Sequence, residues 1–212
     1  MISEFNTVFS GTMAFLKTDC KNMSWINEVD VNDADETLKP IYDDLIKSRG
    51  KISNILKVHS LNPDALKAHL DLYMTIMFGK SGLSRKEREC IAVVVSRADN
   101  CEYCVNHHAE SLSRYVKDEV LLNQIKQDYA ISDLSPRLMA ISNYAYKLTA
   151  QPGDQKQEDL NHLKTFDLSD KDILDITLIV AYFNFVNRIA LGLGVAFNSE
   201  ELSGYKDEPI EK

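Results

Sequence analysis

The chain has 212 residues, of which 44% are hydrophobic and 26% are charged, as in an ordinary soluble globular protein. Lys and Arg number 24 against 32 Asp and Glu, and the resulting net charge of −8 argues against a nucleic-acid partner or a basic membrane-surface protein. Four cysteines are too few for a disulfide-stapled secreted scaffold. Only eight Gly and five Pro, with little strand-like alternation, favour an all-α fold.

Three segments follow one another along the chain. Residues 1–24 show no sustained period and are predicted to be an N-terminal extension. Residues 25–197 carry helical patterns throughout and are predicted to form one helical domain, followed by a polar C-terminal tail at 198–212 that we expect to be loose. The N-terminus lacks the basic start of a signal peptide, so we expect a cytoplasmic protein.

Helix signals recur in chain order along the predicted domain. Gly50 is expected to close the first helix, and Ser84 with Glu87 and Ser169 with Asp172 form capping boxes ahead of two apolar runs. Helices are predicted from about residue 38 to the stop at Gly50, over 63–78, from the Ser84 cap to about 97, from about 101 to beyond 112, from the Ser135 cap to the Pro152-Gly153 stop, and from 170 to about 196.

The most apolar stretch, residues 173–197, is long enough to be considered as a membrane span. It contains Asp175, Asn184, Asn187 and Arg188, and each charge at the centre of a bilayer costs about 2.5–3.5 kcal/mol. We therefore expect a buried helix and no membrane association. Its polar side chains need partners, and Asp175 is one candidate partner for Arg188.

The chemistry is concentrated around a C-x-x-C pair. Cys101 and Cys104 are three residues apart and His108 follows four later, so on a helix that starts near Cys101 all three project from one face. Asp99 and Asn100 offer side-chain oxygens that we expect to cap this helix. A helix N-terminus stabilises a thiolate and lowers a cysteine pKa below its free value of about 8.5.

These residue types supply the parts of a dithiol cycle. His108 can take the thiol proton of Cys104, and Glu89 on the preceding helix can orient His108 or share a proton with it. Two cysteines one turn apart can close a disulfide, with one sulfur attacking and the other resolving. Such a cycle requires no metal, haem, flavin or other cofactor.

The spacing of Glu89, Cys101, Cys104 and His108 resembles the core motif of the AhpD-like alkylhydroperoxidase family, within the carboxymuconolactone decarboxylase superfamily. The similarity to the peroxidase-related branch of that family spans residues 25–197. It is carried by Trp25-Ile26, Ser53–Leu56, Met77–Gly79, Cys101–Cys104, His107-His108 and Tyr182–Arg188.

This resemblance implies an all-α, AhpD-like fold that forms homo-oligomers. It also implies a thiol-dependent peroxidase that reduces a hydroperoxide substrate with electrons from an unidentified thiol or dithiol reductant. Carried over by position, Cys104 is the peroxidatic thiol, Cys101 the resolving thiol, and Glu89 with His108 the proton relay. Tyr103 stands where AhpD-type enzymes carry a histidine, and its phenol cannot act as a base near neutral pH.

Two other functions are compatible with the same residues. A non-enzymatic redox sensor would use the dithiol for signalling, and Tyr103 and the N-terminal extension favour it. A structural zinc site could draw its ligands from Glu89, Cys101, Cys104 and either His107 or His108.

The other cysteines and histidines belong to no such constellation. Cys20 is expected to be incidental and Cys90 to lie in the core. His107 is expected at the surface or at an interface, and surface positions are expected for His59, His69 and His162.

Overall fold

The computed structural model describes residues 23–205, and within this range every regular element is a helix. The all-α prediction is confirmed. Cys20 and most of the predicted N-terminal extension lie outside the described residues, and the domain limits at 25 and 197 stay a prediction. The α-helices are α1 (Leu38–Arg49), α2 (Asn54–Lys57), α3 (Pro63–Phe78), α4 (Arg85–Ala98), α5 (Glu102–Ser113), α6 (Glu119–Asp128), α7 (Pro136–Ala150), α8 (Gln157–Lys164) and α9 (Asp170–Gly192).

The starts of α4 and α9 follow the capping signals of the sequence. Ser84 Oγ accepts a hydrogen bond from the Glu87 N–H at 3.3 Å, and Glu87 Oε2 accepts one from the Ser84 N–H at 2.7 Å. Ser169 and Asp172 form the same box at the start of α9. Gly50, with φ of 88°, ends α1. Each box satisfies two donors that a helix N-terminus otherwise leaves unpaired, so these boundaries are locally determined.

The last helix ends at Gly192, about four residues earlier than predicted. Gly194 adopts a φ of 60°, and a Cβ at this position would collide with the indole of Trp25. The Trp25 N–H donates to the Leu193 carbonyl at 2.8 Å, so the beginning of the described chain crosses the end of α9. Glycine is required here because it combines the left-handed backbone with the close approach of the indole.

The larger of two apolar clusters surrounds α4. Residues 90–95 of this helix are buried on all sides, and α5, α7 and α9 pack directly against it. Cys90 lies in this core, as predicted. A helix that is apolar on all sides is stable only when neighbouring helices enclose it. The central position of α4 therefore fixes where the loops before and after it begin.

The long helix α9 has the pattern of a core helix. By length and composition it could cross a membrane, with a mean hydropathy of 1.5 over its most apolar 18 residues, but half of that window is buried inside the protein. Its polar Asn187 is fully buried, accepts a hydrogen bond from Ser96 Oγ and donates one to Asp99 Oδ2 at 2.9 Å. These bonds attach α9 to the end of α4, two residues before Cys101.

The predicted partner of Arg188 is wrong. Arg188 Nη1 lies 3.6 Å from Asp99 Oδ2, whereas Asp175 pairs with Lys171 and accepts a hydrogen bond from Ser81. Thirteen residues of helix separate Asp175 from Arg188, about 20 Å at 1.5 Å per residue. That distance is too great for an ion pair within one helix.

Candidate active site

The turn between α4 and α5 places the C-x-x-C pair at a helix N-terminus. Cys101 itself takes the N-cap position of α5, and its side chain makes no capping bond to the helix. The expectation that Asp99 and Asn100 cap this helix is therefore wrong. The Asp99 carboxylate is held by Asn187, and Asn100, with φ of 57°, turns the chain into the helix.

The two sulfurs are in direct contact. Cys101 Sγ and Cys104 Sγ are 2.9 Å apart as a hydrogen-bonded pair of free thiols, and the two residues are 1% and 2% exposed. The hydrogen bond from the Cys104 thiol lowers the pKa of Cys101, although burial acts in the opposite direction. The same bond, together with burial, raises the pKa of Cys104.

A cavity of about 330 Å³ opens next to the pair. Cys104 lines it, together with Glu89 and His108, whereas Cys101 is not among the lining residues. A small molecule in this cavity therefore reaches Cys104 first, with Cys101 behind it.

The buried carboxylate of Glu89 joins α4 to α5 through His108. Glu89 is fully buried, and its Oε2 accepts a hydrogen bond from His108 Nδ1 at 2.8 Å. Its other oxygen lies 2.8 Å from Arg85 Nη2, and the His108 and Phe183 rings make a T-shaped contact. With Nδ1 donating to the carboxylate, Nε2 of neutral His108 is an acceptor. His108 lies one helical turn after Cys104, so the structure brings three of the four predicted residues to one cavity.

Sequence reasoning missed Arg85. Its guanidinium stacks on the Phe78 ring at 3.6 Å and donates to the Met77 carbonyl at 2.6 Å, so it is fixed beside Glu89. Arg85 precedes Glu89 by four residues on a helix, which is the spacing of an ion pair and could have revealed the contact.

Tyr103 is a structural link to the C-terminal residues. Its hydroxyl donates to Glu201 Oε1 at 2.9 Å and accepts from the Ile55 N–H at 3.1 Å. Burial, and then the charge of Glu201, raise the pKa of Tyr103 well above its usual value. The phenol is therefore neutral in the folded protein and occupies this position as a hydrogen-bonding group rather than as a base.

The expectation of a loose C-terminal tail is wrong for the residues described. Residues 199–202 form a 3₁₀ turn, and Glu201 within it is 5% exposed. Glu201 accepts a hydrogen bond from the Asn54 N–H at 2.7 Å and lies 3.5 Å from Lys51 Nζ. His107 Nε2 is 3.7 Å from the same carboxylate, so His107 faces a buried charge instead of solvent. The Glu201 N–H bonds locally to Asn198, but all the partners of its carboxylate are distant in the chain, so no local pattern predicts them.

We expect Glu201→Gln to lower the free energy of unfolding by about 1.5–3 kcal/mol at pH 7, the range for buried hydrogen bonds to a charged group. Burial opposes ionisation of Glu201, but His107, the Asn54 N–H, Tyr103 and Lys51 together outweigh it and lower its pKa below the usual 4.5. A lowered pKa stabilises the fold above the unfolded-state pKa, and that contribution is lost as pH falls through the folded-state pKa.

The difference between wild type and Glu201→Gln should therefore shrink as pH falls below about 4.5. Urea unfolding across this range measures it. Glu200→Gln, at an exposed neighbour, is the matched control and should change stability by less than about 0.5 kcal/mol. A difference that stays constant with pH would contradict this account.

The zinc alternative finds no ligand set in the described part of the chain. No group of three or more His, Cys, Asp or Glu side chains between residues 23 and 205 is placed to hold a metal ion. Glu89 and His108, which were candidate ligands, bind each other. The two thiols likewise contact each other.

The surface position expected for His69 is wrong. His69 is 6% exposed, lines the same cavity and is hydrogen-bonded to His59 and Tyr182. His59 is half-buried, whereas His162 is exposed as expected. A single histidine in an amphipathic helix gives no signal of such partners, because they come from other elements.

Part of the chain is similar to a known protein family. Residues 63–145, from the start of α3 to within α7, match the carboxymuconolactone decarboxylase family. Over these residues the chain is similar to that family. The matched segment contains all four predicted site residues. The sequence-based resemblance to the carboxymuconolactone decarboxylase superfamily is thereby confirmed.

Solved structures show the same fold. A peroxidase-related protein from Ralstonia eutropha JMP134, described as an alkylhydroperoxidase AhpD core, is 26% identical with a TM-score of 0.78, over 85% of this chain and 95% of that one. A peroxidase-related protein from Silicibacter sp. TM1040 is 27% identical with a TM-score of 0.79, over 88% of this chain and 98% of that one. The predicted AhpD-like fold is confirmed.

Two further relatives are more distant. The Bacillus subtilis (strain 168) protein YdfG is 22% identical over 143 residues, covering 68% of this chain and 96% of YdfG. The debrominase Bmp8, solved with 2,3,4-tribromopyrrole, is 21% identical with a TM-score of 0.68, over 83% of this chain and 92% of that one. At this identity the debrominase shares the fold alone.

Proposed function

We propose that the protein is a dithiol peroxidase that reduces a hydroperoxide and thereby serves an antioxidant function. Cys104 attacks the peroxide, Cys101 resolves the product, and Glu89 with His108 moves the proton. The observation that carries the proposal is that a cavity-facing thiol, a second thiol in contact with it, and a buried carboxylate–imidazole pair lie together. The likeness to peroxidase-related structures supports it.

The first step transfers an oxygen atom to sulfur. His108 Nε2 takes the proton of the Cys104 thiol, and the thiolate attacks the terminal oxygen of the hydroperoxide. The O–O bond breaks, and the leaving alkoxide takes the proton back from His108 to become an alcohol. Cys104 is oxidised to a sulfenic acid, and the peroxide is reduced. The Glu89 carboxylate stabilises the imidazolium that exists between the two transfers.

The second step closes the disulfide. The Cys101 thiolate attacks the sulfenic sulfur of Cys104, and the hydroxide that leaves is protonated to water. An external thiol or dithiol reductant returns two electrons and regenerates both thiols. The lowered pKa of Cys101 suits a thiol that attacks without its own base, whereas the raised pKa of Cys104 explains why Cys104 needs His108.

The direct test is a thiol titration of the reduced protein before and after one equivalent of cumene hydroperoxide, with peptide mass mapping. We expect rapid loss of two thiols and a Cys101–Cys104 disulfide, with Cys90 still reduced because it is fully buried and its pKa is raised to about 11. A parallel sample treated with a chelator should behave identically. Unreactive thiols, or thiols released only by the chelator, would overturn the proposal.

A redox sensor is the second candidate, because Tyr103 connects the helix of the dithiol to the C-terminal residues through Glu201. Disulfide formation at the start of α5 would then be transmitted to that segment. Slow peroxide consumption together with an oxidation-dependent change in assembly would favour the sensor. Light scattering of the reduced and oxidised protein measures this change and also tests the predicted homo-oligomer.

A further inference from the structure

Three polar rings next to the cavity form a continuous hydrogen-bonded chain, in the order Tyr182, His69 and His59. The Tyr182 hydroxyl and His69 Nε2 are 2.7 Å apart, and His69 Nδ1 and His59 Nε2 are 3.2 Å apart. The chain ends where His59 Nδ1 lies 2.8 Å from the carbonyl oxygen of Ile55. Tyr182 and His69 line the cavity that contains Cys104. The dithiol cycle described above uses none of these rings.

The carbonyl at the end of this chain determines the direction of every bond in it. A carbonyl oxygen can only accept, so His59 Nδ1 carries a proton and Nε2 of neutral His59 is an acceptor. His69 Nδ1 must then donate to His59, which leaves His69 Nε2 as an acceptor. The Tyr182 hydroxyl must in turn donate to His69. Its hydrogen is therefore directed to His69 and is not available to a ligand in the cavity.

Burial keeps both imidazoles in the chain neutral. Desolvation, followed by the nearby His59 and Arg49, lowers the pKa of His69 to about 3. Desolvation likewise lowers the pKa of His59, although its bond to the Ile55 carbonyl acts in the opposite direction. Near neutral pH each ring therefore carries one proton, as the direction of the chain requires.

We propose that Tyr182 is a substrate-positioning residue whose hydroxyl oxygen accepts a hydrogen bond from the O–H of the hydroperoxide. This inference rests on the proposed function, since it assigns the contact that orients the substrate. Because the Tyr182 O–H donates a hydrogen bond to His69, the hydroxyl oxygen can only accept a hydrogen bond from a ligand in the cavity. His69 and His59 act through it by fixing that orientation.

This contact suits the chemistry of the first step. In a hydroperoxide the terminal oxygen carries the hydrogen, and that oxygen is the one that sulfur attacks. Tyr182 and Cys104 line the same cavity, so one bound ligand can contact both side chains. A ligand O–H donated to Tyr182 therefore brings the reacting oxygen next to the sulfur, which is the function of a positioning group.

Binding of two unreactive probes tests this inference without turnover. The probes are 2-phenylpropan-2-ol, the alcohol formed from cumene hydroperoxide, and its methyl ether, which lacks the O–H donor. We expect the reduced wild type to bind the alcohol about fivefold more tightly than the ether, as one neutral hydrogen bond allows. Tyr182→Phe should weaken alcohol binding by that factor and leave ether binding unchanged.

The matched control is Tyr144→Phe. Tyr144 is also a buried tyrosine, but its hydroxyl bonds Thr177 outside the cavity. Tyr144→Phe should keep the wild-type preference for the alcohol. The proposal would be overturned if Tyr182→Phe weakened the binding of both probes equally. It would also be overturned if the wild type bound neither probe, or bound both with equal affinity.

The histidine tautomers provide a second measurement that does not depend on any variant. Long-range ¹H–¹⁵N correlation spectra of histidine-labelled protein at pH 7 should show His59 and His69 as neutral rings protonated at Nδ1. A proton on Nε2 of His69 would overturn the proposal, because Tyr182 would then accept from His69 and turn its own hydrogen into the cavity.

The two proposals can fail separately. A protein that consumes peroxide through the dithiol but shows no alcohol preference would retain its peroxidase function and contradict only the role of Tyr182. A protein that prefers the alcohol and loses no thiols to peroxide would retain the Tyr182 contact and contradict the peroxidase function.

Discussion

Cys104→Ser is expected to reduce peroxide-dependent turnover by roughly 10³-fold or more, because it removes the only sulfur that lines the cavity among the described residues. A serine hydroxyl has the same shape but does not form a comparable nucleophile near neutral pH. Cumene hydroperoxide consumption in the presence of a dithiol reductant measures this loss.

Cys101→Ser should have a different outcome. Cys104 and its proton relay stay in place, so one attack is expected, after which the sulfenic acid at Cys104 has no resolving thiol. Trapping of the sulfenic acid with dimedone and mass mapping should locate it at Cys104. A steady turnover equal to that of the wild type would show that Cys101 does not resolve.

Cys90→Ala is the matched control for both cysteine variants. Cys90 is fully buried in the core beside Ser142 and does not line the cavity. Turnover should therefore be unchanged at temperatures where the variant is folded. A single attack by Cys104→Ser that stops at a sulfenic acid on Cys101 would reverse the roles of the two thiols. The lowered pKa of Cys101 makes this the alternative to test.

Glu89→Gln is expected to lower turnover by about 10²–10⁴-fold, the usual contribution of a positioned acid–base group. The carboxylate accepts from His108 Nδ1 and so leaves Nε2 free to accept the thiol proton. An amide can instead donate to Nδ1, and His108 would then carry its proton on Nε2, where it cannot act as a base. The ratio kcat/KM for cumene hydroperoxide measures this effect.

The same substitution is expected to destabilise the fold by about 3–5 kcal/mol, because it removes one partner of a buried ion pair. The Arg85 charge is almost fully buried and would lose the carboxylate 2.8 Å away. Urea unfolding gives the stability, and activity should be measured at denaturant-free conditions where circular dichroism shows native helicity. Glu89→Asp, which keeps the charge, should recover part of the activity.

Glu119→Gln is the control for Glu89→Gln, since Glu119 is exposed in the first turn of α6. It should change neither turnover nor stability by a measurable amount beyond about 0.5 kcal/mol. If Glu89→Gln retained wild-type turnover, the carboxylate would be a structural partner of Arg85 alone and the relay would be wrong.

Much of the fold could be predicted because its signals are local. The capping boxes at Ser84 and Ser169 mark helix starts through contacts that span three residues. Gly50 ends α1 through its own backbone conformation. The end of α9 was predicted less well, since it depends on Trp25 lying across Gly194. A helix boundary that depends on contact with a distant segment has no signal in the sequence of the helix itself.

Part of the candidate site could be predicted for the same reason. Cys101, Cys104 and His108 share one face because of helix periodicity, and a carboxylate inside the apolar run of α4 required a partner. The structure supplies that partner as His108, with Arg85 as a second one. The direction of the pKa shifts within the thiol pair could not be predicted, since it depends on the contact between the two sulfurs.

The sequence by itself determined the all-α class, the starts of α4 and α9, and the thiol pair with its acid and imidazole, because helix periodicity and capping act over three or four residues. Only the tertiary structure decided which groups surround that pair. Tyr182 meets His69 across 113 residues, and Tyr103 meets Glu201 across 98. Such contacts form when helices pack, and neither partner carries a local pattern that depends on the other.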